Sequence, residues 1–331
     1  MKTKIGISGF GRIGRLVARV AVMDPEVELV AINSTADPEN TARLFKYDST
    51  HGTFDGEVSF DKGHLIVNGK AIPLFCDRDP NKLDWGKYGT EIVIDSTGAF
   101  RTIDTASAHL RDTVKKVIIT APSSDAQMIV MGVNQDAYDP SQPVVSNASC
   151  TTNCLAPVTK VIHDNFTIEA AAMTTVHAFT NDQNNLDNRH KDPRRARGCT
   201  QSIVPTSTGA AKAMGKVIPA LNGKMNGFSV RIPTPNVSLV DVVFQLKESP
   251  SVEEVNALLK QAAEGELKGI LGFSDEPLVS IDYNGDSRSS IVDGLSTMKV
   301  GEHLIKVVAW YDNEWGYSVR CVDLAKFIHN K

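Results

Sequence analysis

The sequence predicts an α/β fold in two parts: a doubly wound domain around a parallel sheet over residues 1–148, and an α+β domain over residues 149–314. Alternating strand and helix patterns in the first half predict the first domain, and longer strand-like runs after Cys150 predict the second. Residues 315–331 are predicted to form a helix that packs back on the first domain. A chain of 331 residues commonly divides its core in this way.

The first strand–helix–strand unit lies at the start of the chain. Residues 4–10 form a short apolar run, residues 12–22 are rich in the Leu, Val, Ala and Arg that favour helices, and residues 27–33 read VELVAIN. Two strands joined by a helix within about 30 residues pair in parallel. Further strand-like runs of this domain lie at residues 91–98, 115–120 and 127–134.

In the second domain, strand and helix patterns are grouped apart from one another. Strand-like runs lie at residues 170–180, 227–247 and 304–313, and a clear helical pattern lies at residues 252–266. Such grouping is typical of the α+β class.

The composition argues against several classes of protein. A formal charge of −4, from 35 basic and 39 acidic residues, gives no reason to expect a nucleic acid or an anionic membrane surface as a partner. No apolar run reaches the ~18 residues that span a bilayer, and the N-terminal segment lacks the pattern of a signal peptide. The five scattered cysteines suggest no disulfide framework, so we expect a cytoplasmic protein.

Three glycines follow the first predicted strand at the spacing GxGxxG. Gly9 permits a tight turn, Gly11 lets the backbone approach a pyrophosphate, and Gly14 lets the helix pack closely on the strand. The free N–H groups at the start of that helix bind phosphate. The strand–turn–helix context favours a dinucleotide site over a purely structural turn.

The second predicted strand ends without the acidic residue that is usual in an NAD site. About 20 residues after Gly14, the chain reads Asn33-Ser34-Thr35, and the first carboxylate is that of Asp37. Ser34 and Thr35 place no charge against a 2′-phosphate and offer hydroxyl donors, which favours NADP or the use of both cofactors. The alternatives are that Asp37 holds the ribose from the loop, or that neutral groups hold it.

A cysteine with polar neighbours begins a helical pattern in NASCTTNCLAPV, residues 147–158. At a helix start, the positive end of the helix dipole is expected to lower the pKa of the Cys150 thiol. His177, in the strand-like run MTTVHAFT, is the candidate to take and return the thiol proton. Taken singly, the two residues also fit a buried cysteine and a hydrogen-bonded strand histidine. No further ligand pair accompanies Cys154, so we expect packing there and no metal site.

A thiol beside a dinucleotide has a specific chemical use. Its addition to an aldehyde gives a hemithioacetal, and loss of a hydride to nicotinamide leaves a thioester. Water, phosphate or another nucleophile then releases the acyl group. The sequence therefore predicts a dehydrogenase that oxidises an aldehyde through an acylated cysteine.

Motifs along the whole chain resemble those of the glyceraldehyde-3-phosphate dehydrogenase family. They are GFGRIG, KYDSTHG, SNASCTTNCLAPV, HAFTNDQ, HKDPRRAR, STGAAKA, RIPTPNVSLVD and WYDNEWGYS. The resemblance implies a homotetramer with a Rossmann-type first domain and a catalytic second domain. It also implies oxidation and phosphorylation of D-glyceraldehyde 3-phosphate to 1,3-bisphosphoglycerate, with reduction of NAD or NADP.

The resemblance also implies roles for individual residues of the catalytic domain. Cys150 corresponds to the nucleophile and His177 to its base and acid. Thr180 and Arg231 resemble the pair that holds the C3 phosphate of the substrate. The site of the attacking inorganic phosphate is implied for Ser149, Thr151, Thr208 and Gly209, with added positive charge from Arg195 or its neighbour Arg197.

Further positions correspond to cofactor contacts in this family. These are Arg12 and Ile13 in the glycine loop, Arg78 and Thr120 on the adenine or ribose side, and Asn313 and Tyr317 at the nicotinamide. Asn188-Arg189 stands where NAD-preferring members have an apolar residue and proline, in a loop that approaches the adenosine ribose of a neighbouring subunit. Together with Ser34, Arg189 resembles the NADP-using branch, so we expect NADP to serve at least as well as NAD.

Two other functions remain alternatives. Erythrose-4-phosphate dehydrogenase shares the fold and the nucleophile but releases its acyl group to water; Thr180 and the intact STGAAKA segment favour the phosphorylating enzyme. A non-catalytic binding protein on the same scaffold is the second alternative. The acidic net charge and the lack of a basic stripe argue against RNA binding as its main role.

Overall fold

The computed structural model describes residues 2–331, which divide into two compact units. The first unit contains the chain up to Ile129, together with Asp136–Ala148 and Ser318–Lys331. The second unit contains Val130–Gln135 and Ser149–Tyr317. No helix within residues 2–331 has both the length and the apolar character that a membrane crossing requires.

The first unit is built on a largely parallel sheet. The strands of this unit are β1 (Thr3–Ser8), β2 (Val27–Asn33), β3 (Tyr47–Asp48), β4 (Gly52–Thr53), β5 (Val58–Phe60), β6 (His64–Val67), β7 (Lys70–Phe75), β8 (Ile92–Asp95), β9 (Lys116–Ile119), β10 (Gln127–Met128) and β11 (Val144–Ser146). Strands β3 and β4 form a separate antiparallel pair. The helices of this unit include α1 (Arg12–Met23), α2 (Pro38–Lys46) and α3 (Ile103–Ala106).

The order of strands in this sheet is β10-β11-β9-β8-β1-β2-β7-β6-β5. The pairs from β10 to β7 are parallel, and β6 and β5 extend the edge as an antiparallel ribbon. The chain winds to one side of β1 through β2 and to the other through β8 and β9. The order therefore reverses at β1, and ligands of such sheets bind beyond the carboxyl ends of the strands at this point.

The predicted doubly wound sheet is confirmed, with one correction. Strand β2 coincides with the predicted run 27–33, and β1 and β9 match their predicted runs to within two residues. Strand β8 ends three residues before the end of its predicted run, 91–98. The run 127–134 was predicted as one strand, but pairing stops after Met128. Beyond it, the side chain of Asn134 accepts a hydrogen bond from the Val130 N–H group at 2.8 Å, which stabilises a local turn in place of a strand.

The second unit packs helices on a mixed sheet. Its strands are β12 (Ile168–Ala178), β13 (Val204–Thr206), β14 (Met225–Ile232), β15 (Ser238–Leu246), β16 (Leu271–Ser274), β17 (Ser290–Asp293), β18 (Met298–Val300) and β19 (Leu304–Tyr311). Its helices are α4 (Cys150–Asn165), α5 (Ala210–Val217) and α6 (Val252–Glu264), and α7 (Trp315–His329) begins in this unit. The strand order is β13-β14-β12-β15-β19-β17-β16, with β18 paired to β19.

The predicted run 227–247 is divided into β14 and β15. Pro233 and Pro235 lie between them, and proline has no N–H group to donate to a sheet. Val237 then adopts a left-handed backbone, with a φ of 66°, directly before β15. The division turns the chain back, so that β12 is flanked by β14 on one side and β15 on the other.

Candidate active site

An open cavity of about 440 Å³ lies beside the carboxyl ends of β1 and β2. Its wall contains Gly9 and Gly11 of the glycine loop, Thr35 after β2, and Arg78. The first helix begins here with Gly11 at its N-cap, and no side chain caps its N–H groups. The cavity therefore offers free backbone donors to an anion, as a dinucleotide site requires.

Two of the three glycines of the loop occupy positions at which a side chain would strain or meet the backbone, and the third faces open space. Gly9 has a φ of +88°, which favours glycine, and a Cβ atom on Gly14 would lie 2.0 Å from the carbonyl oxygen of Gly9. A Cβ atom on Gly11 would meet no protein atom within 4 Å and would project into open space at the cavity wall. These positions fit a bound pyrophosphate group.

The residues after β2 differ in which way their side chains point. Ser34 is buried, and its Oγ lies 3.0 Å from Thr41 Oγ1 and accepts from the Ala36 N–H group at 3.2 Å. Thr35 is exposed in the cavity wall, whereas Ser34 is not part of it. Asp37 caps helix α2 by accepting from the Asn40 N–H group at 2.8 Å, so its carboxylate is already engaged.

Arg12 is held by a carboxylate that the sequence analysis did not single out. Its guanidinium pairs with both carboxylate oxygens of Asp48, with Nη2 lying 3.1 Å from Oδ1. Although burial opposes ionisation, the bonds from Arg12 and from the N–H groups of His51 and Thr50 lower the pKa of Asp48 to about 2. Arg12 is therefore fixed at the start of α1.

The other cofactor positions in the first unit fall into two groups. Arg78 is exposed in the cavity wall. Ile13 and Thr120 are not among its lining residues; the Thr120 hydroxyl donates to the Asp95 carbonyl oxygen at 3.0 Å. Asp77 and Asn33 both lie in the cavity wall. The side chain of Asn33 donates to the carbonyl oxygen of Asp77 and accepts from its N–H group. The pairing of Asn33 with Asp77 could not be found from the sequence, because the two residues are 44 positions apart.

In the second unit, Cys150 is the first residue of helix α4, as the sequence predicts. The N-cap is Ser149, whose hydroxyl accepts a hydrogen bond from the Thr152 N–H group at 3.0 Å. Ala148, directly before it, has a left-handed backbone with a φ of 55°. This turn places the Cys150 thiol at the positive end of the helix dipole.

Sheet pairing brings His177 and Arg231 together, and Cys150, at the start of α4, lies against His177. His177 and Arg231 are direct neighbours in the parallel pair β12–β14. His177 Nε2 lies 3.5 Å from Cys150 Sγ. His177 Nδ1 lies 2.7 Å from the Ala178 carbonyl oxygen and 3.0 Å from Arg231 Nη1. Donation from Nδ1–H to that carbonyl leaves Nε2 as the acceptor that faces the thiol.

Burial opposes charge on both partners of this pair. Burial and the Arg231 charge lower the pKa of His177 to about 3, so the imidazole is neutral. Beside it, burial raises the pKa of the Cys150 thiol, against the opposing effect of Arg231. The predicted lowering of this pKa is wrong in its net direction: the N–H groups of Cys150 and Thr151 at the helix start do lower the pKa, but burial has the larger effect. Ionisation therefore requires a proton acceptor, and Nε2 is the group that faces the thiol. Burial raises the pKa of Cys154 to about 12, in accord with a packing role.

Tyr311 joins the start of α4 to strand β12. Its hydroxyl lies 2.9 Å from Thr151 Oγ1 and 2.9 Å from Thr175 Oγ1, and its ring packs edge-on against that of His177. The Thr151 hydroxyl is thus directed to Tyr311. Tyr311 was missed in the sequence, although it lies within the motif WYDNEWGYS.

Arg231 supplies positive charge beside His177, and Arg195 is held by an acidic residue of the same unit. Arg231 donates to the Ala178 carbonyl oxygen at 3.3 Å, and its buried Nε has no hydrogen-bond partner within residues 2–331. Arg195 pairs with Asp182 and donates from Nη2 to the Ser207 carbonyl oxygen at 3.2 Å. Burial lowers the pKa of Arg231, and the charge of Arg195 adds a smaller effect in the same direction.

The remaining substrate positions lie on three segments of the second unit. Thr208 and Gly209 directly follow Ser207 and precede helix α5, whose N-cap is Gly209. Thr180 follows β12, and the Gln183 side chain accepts from its N–H group at 3.0 Å. Arg197 pairs instead with Asp187 on the exposed surface, so Arg195 is the one of the two whose charge affects the pKa of Arg231.

Asn313 and Tyr317 are both buried. The Asn313 side-chain oxygen accepts from the Ser238 hydroxyl at 2.8 Å. Tyr317 lies in the first turn of α7. Arg189 lies in an exposed loop, where its N–H group donates to the Asn188 side chain at 2.7 Å.

Comparisons with known proteins agree along the whole chain. Residues 3–103 match the family model described as glyceraldehyde 3-phosphate dehydrogenase, NAD binding domain, and residues 149–313 match its C-terminal domain. The chain is 57% identical over 333 residues to glyceraldehyde-3-phosphate dehydrogenase 1 of Bacillus subtilis (strain 168), which covers 100% of this chain and 99% of that protein. Glyceraldehyde-3-phosphate dehydrogenase of Geobacillus stearothermophilus is also 57% identical over 333 residues, with the same coverage of both chains. Glyceraldehyde-3-phosphate dehydrogenase 2 of Bacillus subtilis (strain 168) is 53% identical over 330 residues, which cover 99% of this chain and 97% of that protein.

Proposed function

Because this chain belongs to the glyceraldehyde-3-phosphate dehydrogenase family, we propose that Cys150 and His177 carry out the reaction of that family. The enzyme oxidises D-glyceraldehyde 3-phosphate and joins the product to inorganic phosphate, which yields 1,3-bisphosphoglycerate. A nicotinamide dinucleotide, NAD or NADP, supplies the acceptor for the hydride when it is bound. The glycine loop and the uncapped start of α1 fit its pyrophosphate.

The first step uses the neutral thiol and the neutral imidazole. Sγ of Cys150 bonds to the aldehyde carbon while His177 Nε2 takes the thiol proton and passes it to the aldehyde oxygen, which gives a hemithioacetal. In the oxidation, Nε2 takes the hydroxyl proton as the hydride leaves the same carbon, and a thioester on Cys150 results. Because its pKa is lowered to about 3, His177 holds a proton only transiently.

The last step transfers the acyl group to phosphate. An oxygen of inorganic phosphate attacks the thioester carbon, the carbon–sulfur bond breaks, and Sγ regains its proton from His177. We assign the two phosphate groups to the cationic cluster of Arg231 and Arg195, with the hydroxyls and N–H groups of Thr180, Ser149, Thr151, Thr208 and Gly209. The unpartnered Nε of buried Arg231 supports this assignment, because a phosphate oxygen would satisfy it.

The observation that carries this proposal is the 3.5 Å contact between Cys150 Sγ and His177 Nε2. Initial rates with and without phosphate test it. We expect one equivalent of hydride transfer per active site without phosphate, followed by continuous turnover when phosphate is added. Turnover that does not depend on phosphate would favour water as the acyl acceptor and would contradict the assignment.

For the cofactor, we propose that NADP serves at least as well as NAD. No carboxylate stands at position 34 or 35, and Asp37 is used as the cap of α2. The Ser34 hydroxyl is hydrogen-bonded to Thr41 and Ala36, so Ser34 favours NADP only by placing no negative charge near the 2′-phosphate. We assign the hydroxyl of exposed Thr35 as the donor to that phosphate. A kcat/KM for NAD far above that for NADP would contradict this proposal.

At the nicotinamide end, we assign Asn313 to the carboxamide and Tyr317 to the support of the ring. We further propose a homotetramer in the cytoplasm, in which Arg189 approaches the adenosine ribose of a neighbouring subunit. Leu186 and Ile203, which flank that loop, are 75% and 69% exposed, and such apolar side chains favour a subunit contact. Light scattering that gives the mass of a monomer would contradict the assembly.

A further inference from the structure

The hydroxyl of Ser238 connects two groups of the proposed active site. It accepts a hydrogen bond from the Ala178 N–H group at 3.0 Å and donates to Asn313 Oδ1 at 2.8 Å. Ala178 follows His177 in the chain, and its carbonyl oxygen holds His177 Nδ1. Ser238 is 1% exposed, so water does not compete for these bonds.

The order of these bonds determines which way the Asn313 amide faces. An N–H group can only donate, so the Ala178 contact occupies an acceptor site of the Ser238 oxygen. The hydroxyl proton remains available for donation, and in the structure it is donated to Asn313 Oδ1 at 2.8 Å. The Asn313 Nδ2 group, with its two donors, is consequently turned away from Ser238.

The backbone before Ser238 is strained, which points to a constrained position. Val237 has a φ of 66°, and this left-handed conformation is unusual for a β-branched residue. Val237 is buried and packs with Tyr283 and Ile291, which hold it in place. Strain of this kind persists where the surrounding structure fixes it, and it is frequent at functional sites.

We propose that Ser238 is a positioning residue for the nicotinamide end of the cofactor. Its hydroxyl fixes the Asn313 amide with Nδ2 as the donor, so that Asn313 selects the carbonyl oxygen of the carboxamide group. This inference rests on the proposed role of Asn313. It does not depend on whether NAD or NADP is the preferred cofactor.

Binding of NAD and of ADP-ribose, which lacks the nicotinamide ring, tests the inference in the full-length protein. For Ser238→Ala, we expect the Kd of NAD to rise roughly 5- to 10-fold, as for the loss of one buried hydrogen bond, and the Kd of ADP-ribose to stay within about twofold. A general structural defect would weaken both ligands equally, and that result would overturn the inference.

The matched control is Ser229→Ala. Ser229 is also 1% exposed and lies on β14 of the same sheet, but its hydroxyl has no hydrogen-bond partner within the described residues 2–331. We expect its ratio of NAD to ADP-ribose affinity to equal that of the unchanged protein. A shift as large as that of Ser238→Ala would show that any lost serine hydroxyl in this sheet has the same effect, and would overturn the inference.

Asn313→Ala separates the inference from the proposed function. If Asn313→Ala leaves the affinity ratio unchanged, the assignment of Asn313 to the carboxamide is wrong, and the inference falls with it. If Asn313→Ala lowers the ratio but Ser238→Ala does not, only the role of Ser238 is wrong. If the roles of Asn313 and of Ser238 are both correct, Ser238→Ala changes the ratio of NAD to ADP-ribose affinity by less than about twofold in a protein that already carries Asn313→Ala. Should Ser238→Ala not fold, Ser238→Cys keeps the size with a weaker donor and is measured in the same way.

Discussion

Tyr311→Phe removes one hydroxyl and keeps the ring, so it isolates the link between helix α4 and strand β12. The hydroxyl lies 2.9 Å from both Thr151 Oγ1 and Thr175 Oγ1, and Tyr311 is 1% exposed. A net hydrogen bond contributes about 1 kcal/mol, and a buried hydroxyl that loses its partner costs about 1–3 kcal/mol. We expect the free energy of unfolding to fall by about 2–3 kcal/mol, as measured by urea unfolding at one fixed protein concentration.

The same substitution is expected to affect chemistry more than cofactor binding. Thr151 follows Cys150, and Thr175 lies on the same face of β12 as His177, two residues away. Without the hydroxyl link, the contact between Sγ and Nε2 is held less firmly, and small displacements of reacting groups cost large factors in rate. We expect alkylation of Cys150 by iodoacetamide and kcat to fall about tenfold, with an unchanged Kd for NAD.

The control for this experiment is Tyr138→Phe. The Tyr138 hydroxyl is buried and has no hydrogen-bond partner within residues 2–331. Its loss is expected to change the free energy of unfolding by less than about 0.5 kcal/mol. If Tyr311→Phe also changes the free energy of unfolding by less than about 0.5 kcal/mol, and Cys150 is alkylated at the normal rate, the hydroxyl does not position Cys150. That result would refute the reasoning.

Three further predictions concern single residues. His177→Asn should lower kcat and the alkylation rate of Cys150 by about 10²- to 10⁴-fold, while the circular dichroism spectrum stays normal. Unchanged rates would show that His177 is not the base. Thr35→Asp should lower kcat/KM for NADP about 100-fold and that for NAD far less, because a carboxylate in the cavity wall would face the 2′-phosphate; equal losses would argue against that contact. Asp48→Asn should cost about 2 kcal/mol of unfolding free energy at pH 7, because the folded-state pKa of about 2 lies below the ordinary 3.8. The stabilisation by ionised Asp48 is full above about pH 4 and falls to about half near pH 3. If the loss of unfolding free energy caused by Asp48→Asn does not become smaller in acid, the low pKa of Asp48 is contradicted.

Local patterns in the sequence predicted the elements whose formation depends on nearby residues. The glycine loop lies between β1 and α1, and Cys150 begins α4, because capping and glycine conformations are determined within a few residues. The run 227–247 shows the limit of this approach. Apolar residues lie on both sides of the prolines, so the pattern alone did not reveal that Val237 turns the chain.

The partners of the site residues could not be predicted in this way. Asp48 and Arg12 are 36 positions apart, and Tyr311 and Thr151 are 160 apart, so only the folded sheet brings them together. The direction of the Ser34 side chain is a further example. Its sequence position suggested a contact with the cofactor, but a hydroxyl group is satisfied by whichever donor or acceptor is nearest, and here that partner is Thr41.

Two buried residues with a left-handed backbone directly precede the residues that present the functional groups. Ala148, with a φ of 55° and no exposed surface, precedes Ser149 and Cys150, and Val237 precedes Ser238. Such a conformation costs about 1–3 kcal/mol for a residue other than glycine. Glycine would avoid this cost, but it would leave the chain more freedom at the point where α4 or β15 begins. A side chain packed in the core removes that freedom, so the strain at both positions serves the same end: it holds the direction of the Cys150 thiol and of the Ser238 hydroxyl.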